Sequence, residues 1–437
     1  MRIIHTADLH LGQILYQNYD RSDEHQHFFC QLERWCTDYQ PDALVVSGDI
    51  YDIQQPSATT KKAFTDYFVS LHRRCPQMRI VIIAGNHDSA SRIEADSAVW
   101  ELVGTNLVGV PPTLDQVNVS DGSLDRFIIR LESGYIVALP YMLGDRQKQI
   151  QAILDHIAAE NKSRLPVVMM GHVAVTGLDS KCYDLEIGKI KSIDVASFGS
   201  GYDYLALGHI HKPLTFGHPD DTFVAEVSYS APVVRYSGSV LHVSCDETHP
   251  HSVSLVELDR HEGLVKINQL VIDELRHFYV LPQEGAFHSD EGALDAIKAL
   301  AEKGEECYFR LRIDGSAYLP ENFNQMVYEI LATYDNRLRY NPKHIWEGVL
   351  EQPNDGDEPL VFAVADLQQM TDPMDFIEKT QSHYPDLDLE EVRQAFEEVK
   401  IEVARLAEEE EKKEADKKKE NKKAKATESE NENNIES

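Results

Sequence analysis

Five apolar, mostly β-branched runs finish in the same way, and that recurrence constrains the fold of this chain more than any other feature. RIIHTADLH (2–10), ALVVSGDI (43–50), RIVIIAGNHD (79–88), PVVMMGH (166–172) and YLALGHIH (204–211) each pass from hydrophobic residues into an acid, an amide or an imidazole. Short runs of this composition read as buried strands. Helical periodicity fills 22–39 and 57–73 between the first three, and 222–272 reads as several further strands. Such alternation predicts an α/β fold, a layered sheet with helices on its faces. Ligands in sheets of this kind sit beyond the carboxyl ends of the strands, where all five polar clusters fall.

The residues at those ends are Asp8 and His10, Asp49, the trio Asn86, His87 and Asp88, then His172, then His209 and His211. Singly, each has an ordinary explanation. Asp after Gly is turn chemistry, Asn-His-Asp can cap a helix, and a strand-end His is usually just hydrogen-bonded. Five such ends in one chain point instead to a metal centre. Asp8, His10, Asp49, Asn86, His172, His209 and His211 are too many donors for one ion that keeps an open position, so two divalent ions are expected. Carboxylate, imidazole and amide donors without thiolate suit Mn²⁺, Fe²⁺, Zn²⁺ or Mg²⁺. Asp49, midway in the order, is the natural bridge. In extended chain the side-chain period is two, so His209 and His211 are expected to point the same way. Two ions about 3.5–4 Å apart stabilise the attacking and leaving oxygens of a phosphoryl displacement.

The pattern of polar strand ends occupies a first domain, 1–275. A second unit is expected over 276–346, where strand-like and helical stretches alternate as β-α-β-α-β. A turn-rich linker follows at 347–370, then a helical segment at 371–411 and a charged tail at 412–437. Within the helical segment, Leu389, Val392, Phe396, Val399, Val403 and Leu406 form an a/d stripe, with Asp388 and Glu391 placed for a capping box. That stripe suits helix-in-groove docking on a partner. No apolar run approaches the ~20 residues of a membrane helix. MRIIHTADLH is not a secretory signal, because Asp8 and His10 interrupt it. Six cysteines without a CxxC pair suggest reduced thiols and a cytoplasmic setting. The net charge is −32, of which residues 401–437 supply only −3. So acidic a body holds DNA poorly by phosphate neutralisation alone; a nucleic-acid substrate would need metal ions, a local basic patch or a partner.

Taken in order, DLH, GDIYD, GNHD, GH and GHIH resemble the calcineurin-like metallophosphoesterase superfamily. More narrowly, MRIIHTADLHLG, GDIYD and the small second domain are similar to the SbcD-type subunits of double-strand-break repair nucleases, over residues 1–346 by sequence and beyond by architecture only. The resemblance implies a layered β-sandwich flanked by helices, a small capping domain and C-terminal helices. It implies one ion held by Asp8, His10, Asp49 and His211, and a second by Asp49, Asn86, His172 and His209, with Mn²⁺ the first choice of metal. His87 would act on the substrate phosphate or protonate the leaving oxygen, and Asp88 would orient it by a hydrogen bond. The implied substrate is DNA, cleaved 3′–5′ from duplex ends and endonucleolytically in single strands or hairpins. The implied partner is an SMC-like ABC ATPase, with a homodimer of this chain inside a heterotetramer at the nucleoid and no membrane. Some relatives outside the bacteria have a histidine where this chain has Asp52, so that histidine's role does not carry over. The alternative is a phosphoesterase acting on a small-molecule or protein phosphate. It predicts a compact chain without a second domain, and a protein phosphatase would favour GNHE. A purely structural relative predicts lost ligands, and all seven are present.

Overall fold

The computed structural model describes residues 1–347, apart from 17, 119–121, 143, 145, 177–191, 217–224, 229–231, 244–246, 248 and 335–336, and gives only the backbone of 118 and 225–228. Most of the expected linker, the 371–411 segment and the charged tail lie outside the described residues.

The first three apolar runs form adjacent parallel strands, Arg2–Thr6, Ala43–Ser47 and Arg79–Ile83, with Ile3 opposite Ala43 and Ala43 opposite Arg79. Their carboxyl ends therefore reach one edge of the sheet together. Thr105–Val108 extends the sheet on one side, and Ser252–Asp259, antiparallel to Arg2–Thr6, leads to Leu264–Val271 and Ala225–Ser228 on the other. Both faces of the central strands are apolar, so both must be covered. Ile4, Leu44, Val46, Ile80 and Ile82 face helices Ser22–Tyr39 and Ala58–Arg74 through Phe28, Leu32, Phe64, Phe68 and Leu71.

The other face, with Ile3, Val45, Val81 and Ile83, packs against a second sheet. Its six strands run Leu214–Thr215, Val233–Tyr236, Tyr204–Gly208, Val167–His172, Gly134–Ala138 and Ile128–Leu131 in spatial order. Helix Gln147–Glu160 contributes Ile150, Ile153, Leu154 and Ile157 to the same core. The result is the expected layered α/β sandwich, helix on sheet on sheet on helix. Polar ties cross the apolar interlayer, among them the His5 Nδ1 2.9 Å from the Tyr204 hydroxyl, and the Ser47 hydroxyl donating to the Ala206 carbonyl at 3.0 Å. Tyr204–Gly208 is parallel to Val167–His172, with Gly208 opposite His172, so these two strands also end together.

A third, smaller sheet has three parallel strands, His277–Leu281, Cys307–Asp314 and Leu338–Glu347. Helices Asp290–Glu302 and Phe323–Thr333 alternate with them along the chain. Ser289 caps the first helix by accepting from the Gly292 amide at 3.2 Å. Ile297, Phe309, Leu311, Val327 and Tyr340 make a core of their own. A buried arginine joins this unit to the sandwich. Arg21 bonds Glu24 through Nε at 2.9 Å and lies 5.8 and 5.7 Å from the ring centroids of Phe278 and Tyr308. Glu24 also accepts from the Tyr308 hydroxyl at 2.8 Å, so the desolvated charge pair is satisfied from both sides.

Candidate metal centre

Where the strands of the two sheets end, the backbone leaves ordinary geometry. Asp8, His10, Asp49 and His209 have positive φ, at 53°, 45°, 49° and 94°. Outside glycine this region is sparsely populated and costs on the order of 1–3 kcal/mol per residue. Glycines make the turns tight enough to matter. A Cβ at Gly48, itself at φ 88°, would lie 2.3 Å from the His172 Nδ1, and one at Gly85 would lie 2.1 Å from the Asp49 Oδ1. Three motifs thus close on one point because their glycines leave room for it.

All seven expected ligand residues meet there. Asp8, His10 and His211 form one group whose donor atoms lie within 4.8 Å of one another, and Asp8, Asp49 and His172 form another. The Asp49 Oδ2 is 3.3 Å from the His172 Nε2 and 3.9 Å from the His10 Nε2. The Asn86 Oδ1 sits between the His172 Nε2 at 3.0 Å and the His209 Nδ1 at 2.8 Å. The Asp8 carboxylate accepts from the His209 amide at 3.1 Å.

The residues fit a cation on two observations. Both ring nitrogens of His10 are buried without a hydrogen-bond partner. The His172 Nδ1 is 2.7 Å from the Ser47 carbonyl and donates its proton there, so Nε2 is the nitrogen that faces the acceptor oxygens of Asp49 and Asn86, a position that takes up a proton or a metal ion. Imidazoles oriented by a backbone carbonyl and opposed to carboxylates are the usual arrangement of metal-binding histidines. The electrostatics agree. Burial raises Asp8, and nearby Asp49 raises it further. Burial opposes a charged His172, but Asp49 and then Asp8 outweigh it and raise the imidazole to about 9. The cluster attracts positive charge.

His209 and His211 do not point the same way. The positive φ at His209 ends the extended geometry one residue after Gly208 and turns its ring towards His172, at a centroid distance of 5.2 Å. The His211 ring instead faces His10 at 5.3 Å. The expectation failed because period-two alternation needs a strand, and the strand stops at Gly208.

His87 stands exposed at the mouth of the site, its Nδ1 2.7 Å from the Asp52 carbonyl and its ring 4.9 Å from that of His10. Asp88 does not orient it. The buried Asp88 carboxylate accepts from the amides of Ile50, Tyr51 and Gly85 at 3.1, 3.0 and 2.8 Å. It braces the second motif against the third, a structural task that draws it away from the His87 ring. Neither is it the cap of the next helix, whose N-cap position is Ser89.

One residue of the site escaped the sequence reading. The Glu247 Oε1 lies 3.2 Å from the His211 Nδ1 and, with Asp8, raises that imidazole against the effect of burial. Its only sequence signal is E-T-H-P-H, an alternation of donors just ahead of a strand.

Residues 1–213 match the family model described as calcineurin-like phosphoesterase. That stretch of the chain belongs to the family. Among curated relatives of this phosphoesterase, the SbcD subunit of nuclease SbcCD from Rhodobacter capsulatus is 30% identical over 287 residues, covering 59% of this chain and 66% of the relative. Its counterpart from Escherichia coli K12 is 30% identical over 264 residues, covering 56% and 62%. That from Staphylococcus saprophyticus is 26% identical over 380 residues, covering 83% and 91%. The matched part of the phosphoesterase thus spans just under two thirds of the length of the first two relatives. No helix among its described residues is long and apolar enough to cross a membrane.

Proposed function

We propose that this phosphoesterase is the nuclease subunit of an SbcCD-type complex and hydrolyses DNA phosphodiester bonds at the site between its two sheets. Asp8, His10, Asp49 and His211 hold one divalent ion, and Asp49, Asn86, His172 and His209 hold a second, with manganese the preferred metal. The observation that carries this reading is the convergence of seven donor side chains on one point, where both nitrogens of His10 are buried without a hydrogen bond. Bound there, such a pair of ions supplies positive charge for the phosphoryl oxygens and lowers the pKa of a bound water.

The protein's own residues do the rest. Asp49 accepts the His87 amide through Oδ1 at 2.8 Å, so its other oxygen is held towards His10 and His172. His87, with Nδ1 fixed on the Asp52 carbonyl, presents Nε2 to the open mouth, where it protonates the departing 3′ oxygen. Asp88, behind it, keeps the two loops in register. Glu247 holds the ring of His211.

The resemblance to the SbcD-type relatives supports DNA as substrate, with 3′–5′ cleavage at duplex ends and endonucleolytic cleavage of single strands and hairpins. The acidic body supports a partner, an SMC-like ABC ATPase that supplies the grip on DNA and docks on the 371–411 segment. The setting is the cytoplasm, with two copies of this chain in a heterotetramer. The test is a nuclease assay on labelled duplex and hairpin DNA in Mn²⁺, with and without chelator. Wild type should cut both, Asp49→Ala should lose metal and cleavage together, and His87→Ala should keep its ions and lose turnover. Hydrolysis of small phosphodiesters with intact DNA left untouched, partner present, would sink the nuclease assignment.

A further inference from the structure

A second cluster of imidazoles lies outside the seven residues assigned to the metal pair. Glu247, His249 and His251 alternate along the chain into strand Ser252–Asp259, and each offers a donor atom within 4.8 Å of the other two. His251 is completely buried. Its Nδ1 lies 2.9 Å from the Ser239 carbonyl and so carries the ring proton. The opposite nitrogen, Nε2, has no hydrogen-bond partner and sits 3.5 Å from the Glu247 Oε2. Two lone pairs therefore face each other in a dry interior, a repulsive contact unless something positive lies between them. The Nε2–Oε2 spacing is close to the edge of a tetrahedron whose metal–ligand bonds are about 2.0–2.1 Å.

We propose that Glu247, His249 and His251 hold one further divalent ion of the zinc class, separate from the pair at the strand ends. Two imidazoles and one carboxylate are the His₂Glu donor set of zinc sites, with a fourth position left for water. The second shell is in place: Ser239 orients His251, and the His249 Nε2 lies 3.2 Å from the His211 carbonyl. Glu247 belongs to both centres, with Oε1 towards His211 and Oε2 towards His251. The ion would fix the carboxylate that orients a ligand of the catalytic pair. His242 and Glu274, on the far side of His251, also approach each other, at 3.4 Å. Arg21 bonds the His242 carbonyl there, and its permanent charge disfavours a cation on that side.

The experiment counts zinc in the full chain, by plasma mass spectrometry after chelator stripping, zinc loading and desalting. Asp49→Ala, which removes the shared ligand of the pair, should retain one zinc per chain. His249→Ala should hold one zinc fewer than wild type. His251→Ala removes a fully buried ring and is prone to misfold, so the half-buried His249 carries the test, with melting temperature as the control for folding. Crystals of Asp49→Ala measured at the zinc edge should show an anomalous peak within bonding distance of the His251 Nε2. No zinc in Asp49→Ala, equal zinc in His249→Ala and wild type, or no such peak would each overturn the proposal, whatever the outcome of the nuclease assay.

Discussion

The strand ends of the sandwich and the three-stranded unit that follows are made from the same alphabet and obey opposite rules. At the strand ends, four non-glycine residues sit at positive φ, two carboxylates are buried near each other, and an imidazole lacks a hydrogen bond on both nitrogens. In the three-stranded unit, helix and strand alternate regularly, Ser289 caps its helix, and the core from Ile297 to Tyr340 is almost wholly apolar. One region stores strain and unsatisfied charge for a ligand; the other minimises both. Strain of this sort persists only where surrounding structure over-determines it, and the two packed sheets supply that constraint.

The contrast predicts that function and stability separate by region. Asp49→Ala should lower phosphodiester hydrolysis at least about a thousandfold, since it deletes the donor proposed to be shared between two ions. Its metal-free form should nonetheless melt within a few degrees of the wild type, because the deletion also relieves Asp8 of a buried neighbouring carboxylate. Leu311→Ala should do the reverse. Leu311 is fully buried in the small unit, so truncation should destabilise that unit by about 2–5 kcal/mol in denaturant unfolding. Metal stoichiometry should stay unchanged. A Leu311→Ala protein that lost its ions would break the comparison, by showing that the small unit holds the metal site in shape.

Ions should stabilise only one region. At manganese a hundred times its dissociation constant, the native state gains about 2.7 kcal/mol, visible as a rise in melting temperature that a chelator reverses. Asp49→Ala should show almost none of that rise. Region-resolved hydrogen exchange sharpens the point: protection should increase around 6–10, 47–51 and 172, and stay level in 307–314. An equal gain in both regions would mean that they unfold as one unit.

What could be read from the sequence follows the same division. Local periodicity sufficed for the β-α-β-α-β order of 276–346 and for the parallel strands of the sandwich, because apolar runs and helical stripes state their own structure. Donor type and position brought all seven converging donor residues into view, since strand ends in such a sheet meet at one edge. Their directions stayed hidden. Nothing around His209 announces a φ of 94°, and only the folded chain reveals that Asp88 is occupied by Ile50 and Tyr51, 38 and 37 residues away. Glu247 lies 36 residues from the imidazole it orients, in a stretch with no glycine-led strand end to mark it.

The smallest expected difference between the regions is in acid. His5 is fully buried between the sheets, and burial, then the charge of Arg235, lowers it to about 3; burial, then Arg21, lowers His25 to about 4. Both histidines are neutral in the fold. In the unfolded chain each takes up a proton near pH 6.5, so the unfolded state binds more protons as pH falls below that value. Their contribution is fully present above about pH 6.5. It is lost towards pH 4 for His25 and towards pH 3 for His5, at about 1.4 kcal/mol per pH unit for each group. Among its described residues the three-stranded unit fully buries no histidine; its half-buried His344, which burial also lowers, carries less of this effect. In metal-free protein, exchange protection corrected for intrinsic rates should therefore decline between pH 6.5 and 5 in strands 2–6 and 204–208 while 307–314 holds. Replacing His5 with glutamine should flatten that decline in the sandwich, whatever it does to stability at neutral pH. A decline that is parallel in both regions and indifferent to His5 would mean that the acid response arises elsewhere, and that the sandwich's buried imidazoles are no weaker against protons than the small unit's apolar core.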